Sequence, residues 1–263
     1  KARMDGDLKR LREVQHRIVA ACQTDAEVVA ALRILTHKRK QDPRCIKDLI
    51  QGLHEERRSA DFYRMLLNEV IESRIYLEEE RMYISEHIKS MMGNDIEKAY
   101  AAIKDVPVET FTSISENHRN AFLFEQFRLA LLLHLYADAS LIAKRVRKSY
   151  LSSEDATVFY NYCILLKIGQ REYLETARLF LELSSVSPSS RAVARGSFFC
   201  MLSNCFVEKR NILDEKRRLL AEFSGREMNE PSMRSYTDRF LSDMILDFSL
   251  ADLIMAEMGR LDS

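Results

Sequence analysis

The sequence predicts an all-α fold, an irregular α-solenoid of tetratricopeptide-like helical hairpins, on the strength of three observations. Turn-formers are scarce: the 263 residues include only 7 Gly and 4 Pro, and a β-rich chain of this length needs many more at its tight turns. Apolar residues recur at helical spacing in almost every window, and strand-like alternation is hard to find. Helix starts near Ile75, Glu116, Ser153 and Pro188 stand 41, 37 and 35 residues apart, with room for a second helix in each interval. Units of about 34 to 47 residues are the signature of tetratricopeptide and HEAT arrays. No strict repeat consensus is visible, hence an irregular array.

The elements follow in order. Asp42 and Pro43 supply a cap and a first-turn proline to a helix with Ile46, Leu49, Ile50 and Leu53 on one face. Ser59 precedes a stripe of Phe62, Tyr63, Leu66, Leu67, Val70 and Ile71. Pro107 marks a break at Asp105-Val106-Pro107-Val108, and Pro188 and Pro231 sit beside polar capping residues. Gly93 and Gly169 follow amphipathic stretches and suit the left-handed position that ends a helix. The helix expected around Phe122 to Tyr136 is apolar nearly all round and should be packed on several sides. Tyr173, Ala177, Phe180 and Leu181 mark another helix, and Phe240, Leu241, Met244, Ile245 and Phe248 a late one. The pattern gives about twelve to fourteen helices.

Composition excludes several function classes. Apolar residues make up 46% of the chain, enough for a real core. Forty basic residues balance forty acidic ones, which counts against a dedicated nucleic-acid binder. The longest apolar runs, such as Leu129 to Leu133, are five residues, far short of the ~20 that span a bilayer. Five cysteines at 22, 45, 163, 200 and 205 form no C-x-x-C pair and sit mostly among apolar neighbours. They read as small buried hydrophobes in a reducing, intracellular setting.

No chemistry is legible. The six histidines form none of the helical zinc-ligand spacings, and no phosphate loop, nucleophile elbow or kinase motif occurs. The chain therefore reads as a non-enzyme without a cofactor. Glu78-Glu79-Glu80 reads as a solvated or salt-bridged helix face. The basic runs His37 to Lys40 and Lys144 to Lys148 read as helix C-terminal turns that complement the macrodipole, with a phosphate or acidic-partner contact as the alternative.

Several segments go further. Arg74-Ile75-Tyr76-Leu77-Glu78-Glu79-Glu80-Arg81, Val108-Glu109-Thr110-Phe111-Thr112-Ser113, Phe122-Leu123-Phe124-Glu125-Gln126-Phe127-Arg128-Leu129, Phe159-Tyr160-Asn161 and Arg171-Glu172-Tyr173-Leu174-Glu175 keep one order and spacing across residues 74–181. In these stretches the chain resembles the fifth non-ATPase subunit family of the proteasome lid, whose members are PCI-domain proteins. The resemblance implies one helical-repeat domain over residues 1–263, coiled as a right-handed solenoid, and a winged-helix part of the PCI module lying beyond this chain. It implies a non-catalytic scaffold in ubiquitin-dependent protein degradation, a hetero-oligomer contacting other lid subunits, the ATPase ring and the core particle's outer ring, in cytoplasm and nucleus. No nucleic acid or membrane partner is implied. The family's L-A-P-aromatic segment has no counterpart near Cys200 to Val207. The alternatives are a subunit of the COP9 signalosome, a relative with the same helical array, and a free-standing adaptor that binds peptides.

The candidate sites are structural polar residues: Glu80 and Arg81 in the first of these segments, Glu125 and Gln126 in the third. Glu125 and Gln126 lie beside a stripe of Phe122, Leu129, Leu132 and Leu133, so one of them is expected to tie this helix to its neighbour. The backbone N–H groups of Val108 to Ser113 and Arg145 are the expected donors. The alternative is a solvent-facing pair between Glu125 and Arg128.

Overall fold

The computed structural model describes residues 7–38, 42–55, 58–72, 74–203, 210–227 and 231–242. Among them thirteen α-helices occur and no β-strand. Arg39, Lys40, Cys205, Met244, Ile245 and Phe248 lie outside the described residues. The chain divides into two compact units, Lys1–Leu133 and His134–Ser263.

The first unit holds α1 (Leu8–Ala20), α2 (Asp25–His37), α3 (Pro43–Glu55), α4 (Ala60–Leu66), α5 (Glu78–Met91), α6 (Ile96–Ile103) and α7 (Glu116–Leu132). The helix starts follow capping chemistry. Thr24, Ser59, Asp95 and Ser115 each accept the N–H three residues on, and the Asp42 carboxylate takes the Arg44 N–H at 2.8 Å. Such caps are each worth about 1 kcal/mol. Helices pack on the next and on the next but one: α2 on α4, α3 on α5, α5 on α6, α6 on α7. One core runs through Val28, Leu32, Ile46, Ile50, Phe62, Leu66 and Ile84.

Two departures from the expected pattern occur here. The Phe62 to Ile71 stripe is not one regular helix: after Leu66 the chain widens into a π-turn over Leu67–Ile71, where the Glu72 N–H reaches back to the Leu67 carbonyl. The extra residue turns Val70 and Ile71 into the core. The helix expected through Tyr136 stops at Leu132, because His134 takes a left-handed conformation (φ 55°). Leu132, expected at a core position, is consequently 49% exposed at a helix end.

The second unit holds α8 (Tyr136–Arg145), α9 (Ser153–Gly169), α10 (Tyr173–Val186), α11 (Ser190–Leu202), α12 (Arg210–Ser224) and α13 (Pro231–Leu241). Ser152 and Ser189 cap α9 and α11. Each helix packs on its successor from α8 to α13, α8 on α9 and so on; α10 also meets α12, and α11 meets α13. Their core gathers Ala177, Phe180, Phe198, Phe199, Leu220 and Phe223. Lys148 lies 5.5 Å from the Phe159 and Tyr160 rings, which makes part of the 144–148 basic run a packing device.

Glycines do different jobs. Gly93 has φ +57° just past α5, the left-handed position expected of it. Gly169 does not; Arg171 (φ 61°) takes that conformation after α9 instead. A Cβ on Gly169 would stand 2.4 Å from the Tyr136 ring, so it lets α8 and α9 approach. Gly196, within α11, does the same: a Cβ there would meet the Phe223 ring at 2.4 Å and the Phe180 Cβ at 3.0 Å. On an open helix, Gly→Ala gains up to about 1 kcal/mol. Here Gly196→Ala should instead destabilise by about 1–3 kcal/mol through overpacking, read as a lowered midpoint in urea.

Candidate functional site

The first three matching segments meet in space. Between α6 and α7 the chain runs as a strap, residues 104–115, with a single 3-10 turn at Val108–Thr110. Val106, Val108, Phe111 and Ile114 point inward and are buried. A buried non-helical backbone must find partners for its carbonyls; local turns supply some, such as the Val108 N–H to the Val106 carbonyl at 3.0 Å, and α7 supplies others. Arg119, 5% exposed, donates from Nε to the Val108 carbonyl at 3.0 Å and from Nη2 to the Phe111 carbonyl at 2.6 Å. Its Nη1 meets the Glu116 carboxylate at 2.5 Å, which neutralises the buried charge. Two turns on, the fully buried Gln126 donates from Nε2 to the Ile103 carbonyl at 2.6 Å and stands 3.5 Å from those of Lys104 and Val106. Gln126 therefore closes the C-terminal end of α6, whose last carbonyls have no partner within the helix. From the other side the Glu78 carboxylate accepts the Thr112 N–H at 2.9 Å.

Gln126, not Glu125, occupies the buried position. It acts as a donor to the carbonyls of Ile103, Lys104 and Val106. Arg145 belongs to the other unit. Glu125 is 27% exposed and pairs with Arg128 at 2.8 Å and with Lys89 of α5 at 3.1 Å. It makes the surface pair with Arg128 and also a tie between α5 and α7. The Arg128 hydrogen bonds, helped by Lys89, hold its carboxyl down at about 2 against their opponent, partial burial. This triad walls a groove of about 490 Å³ floored by Ala99 and Leu129 and rimmed by Ile96 and Leu132.

Glu80 is 1% exposed, so of the two readings of the Glu78 to Glu80 face, solvated or salt-bridged, it takes the second. Glu78 and Glu79 stay at the edge, and Glu79 takes Lys47 of α3 at 2.9 Å. The Glu80 carboxylate stands 3.9 Å from Lys47 and 3.5 Å from the Gln51 amide, and burial pushes its pKa up. Arg81 is partly buried and faces Glu72 at 3.6 Å. Both residues tie α5 to its neighbours rather than lining a cleft. Arg119 escaped sequence reasoning; the available signal was an arginine seven residues before Gln126, hence on the same face of an otherwise apolar helix.

The thiols of Cys163 and Cys200, buried nucleophiles in principle, are each pushed up to about 12 by burial. Among the described residues no group of three or more His, Cys, Asp or Glu could hold a metal ion, and no helix is long and apolar enough to cross a membrane. Every polar side chain placed here serves backbone or an opposite charge.

Two outcomes follow. Gln126→Ala should cost about 1 kcal/mol, because the Ile103 carbonyl loses the buried amide and keeps the Val106 N–H at 3.2 Å, measured by equilibrium unfolding. Glu125 has a folded-state pKa below its ordinary value of 4.5. Its stabilising contribution is therefore complete above about pH 4.5 and lost as pH falls toward 2. The stability gap between wild type and Glu125→Gln should close across that window; a constant gap would refute the pairing.

Residues 1–190 match the family model described as PSMD12/CSN4, N-terminal. The chain is 24% identical to the 26S proteasome regulatory subunit RPN5 of Saccharomyces cerevisiae over 200 residues, 70% of this chain and 45% of the relative. It is 28% identical over 121 residues to the 26S proteasome regulatory subunits rpn501 and rpn502 of Schizosaccharomyces pombe, 43% of this chain and 27% of each relative. The chain thus spans less than half the length of these curated relatives. The family match contains the strap, its clamping helix and the start of α5.

Proposed function

Since the chain belongs to the PSMD12/CSN4 N-terminal family, we propose that it is a non-catalytic scaffold subunit of the proteasome regulatory particle lid. In this reading it supports ubiquitin-dependent protein degradation through protein–protein contacts alone. Its partners are other lid subunits, the ATPase ring and the outer ring of the core particle, in cytoplasm and nucleus, and its helical hairpins belong to an irregular right-handed α-solenoid. The observation that supports the reading is the clamped strap: three segments of the family resemblance converge there, and Glu78, Gln126 and the nearby Arg119 all hold strap or helix-end backbone. That is the economy of a rigid connector. The names of the three relatives support the proteasome assignment.

The family description also covers CSN4, so a signalosome subunit is the second reading. Purification of the chain from its source cells through a tag at the natural locus separates the two. Co-purification of 26S regulatory subunits in constant ratio is expected. Recovery with signalosome chains would favour the second reading, and recovery as a monomer would overturn both.

A further inference from the structure

Charge is distributed unevenly along this neutral chain. Helix α1 carries Lys9, Arg10, Arg12 and Arg17 against the single carboxylate of Glu13, in a molecule with forty charges of each sign. Only a narrow stripe of α1, Leu11, Gln15 and Val19, is buried. Arg12 is engaged by Asp48 at 2.6 Å, while Lys9, Arg10 and Arg17 stand exposed. On the flank of α1 that carries Arg10 and Arg17, the neighbouring Val14 and Ile18 are each about 40% exposed, an apolar edge beside those two cations.

We infer that this face of α1 docks an acidic, aliphatic-bearing segment of a partner protein. Charge complementarity chooses the sign of the occupant, and the exposed aliphatic edge chooses its class. A phosphate backbone would neutralise the cations but leave Val14 and Ile18 in water. A bilayer surface needs the apolar face of the helix for its acyl chains, and that face, Leu11 and Val19, is already inside the protein. The inference rests on the subunit reading for the source of the partner, though not for the chemistry of the face.

Two measurements test it. In the first, the free chain is titrated against a fluorescein-labelled peptide alternating Glu and Asp with Leu, against its Lys-substituted counterpart, against phosphatidylserine vesicles and against oligouridylate. The acidic peptide should bind, and its affinity should fall at least about threefold between 50 and 200 mM salt. Lys9→Glu/Arg10→Glu/Arg17→Glu, at three exposed positions, should weaken it at least about tenfold while the thermal midpoint is unchanged. Binding that is absent, equal in the variant, or stronger to vesicles or RNA overturns the inference. In the second, benzoylphenylalanine replaces Val14 or Ile18 in the chain assembled with its partners, and the photo-adduct is sequenced. A partner peptide with an excess of Asp and Glu is expected; a basic or neutral peptide, or no adduct from assembled chain, overturns the docking face. Failure of the chain to assemble at all strikes the subunit reading instead, and the peptide titration still decides the face.

Discussion

A stretch of buried chain that is not helical must still have its carbonyls satisfied, and in the first unit the strap's own short turns do part of this and helix α7 does the rest. The strap between α6 and α7 turns Val106, Val108, Phe111 and Ile114 inward, and its local turns leave the Phe111 carbonyl, and a second bond at Ile103 and Val108, to other elements. Arg119 and Gln126 resolve this from one face of α7, seven residues apart. Their donors reach the carbonyls at 103, 108 and 111. Once those bonds exist, α6 and α7 are held in register, with Phe122 of α7 buried between Arg119 and Gln126 in sequence. Lys89 and Glu125 then tie α5 to the same helix, and Glu78 holds the far end of the strap.

Much of this was legible in the sequence because it is local. Serine, threonine and aspartate caps, proline at or before first turns, and apolar spacing all act within a few residues, and the helices begin where those signals stand. Helix ends were harder. Gly93 and Gly169 look alike in sequence, yet one supplies a left-handed residue and the other supplies room for Tyr136. His134 closes α7 although nothing in its residue type demanded φ 55°. It is steadied by Tyr136, whose hydroxyl lies 3.0 Å from its Nδ1 and whose ring packs edge-on. Such facts are tertiary, and a single sequence does not carry them.

The candidate polar residues divide along the same line. Spacing on an apolar helix required that Glu125 or Gln126 be buried, but not which. The amide was the cheaper to bury, because it leaves water without a net charge to desolvate, and Glu125 kept partial exposure with two cations. Glu80 shows the converse. Its place in a run of three carboxylates suggested solvent or a salt bridge without deciding between them, and the third position of the run turns inward toward Lys47 and Gln51. Periodicity gives the face of a helix; what covers that face decides burial.

Each unit also contains a deeply buried cation that serves main chain. In the first it is Arg119. In the second it is Lys216 of α12, fully buried, donating to the Met201 carbonyl at 2.8 Å in the last turn of α11 with its ammonium 4.5 Å from the Phe240 ring of α13. Apolar replacements of similar volume are often as stable as such buried charges, or more so. What the charges add is discrimination. Apolar helices in an array can slide by a turn and still bury similar area, whereas a guanidinium or ammonium aimed at particular carbonyls loses its partners on any such slip. In a molecule built from similar amphipathic helices, the register of neighbours is the property least protected by hydrophobic burial. The two buried cations sit where helix ends meet irregular backbone or a third helix, the places where a slip would otherwise cost least.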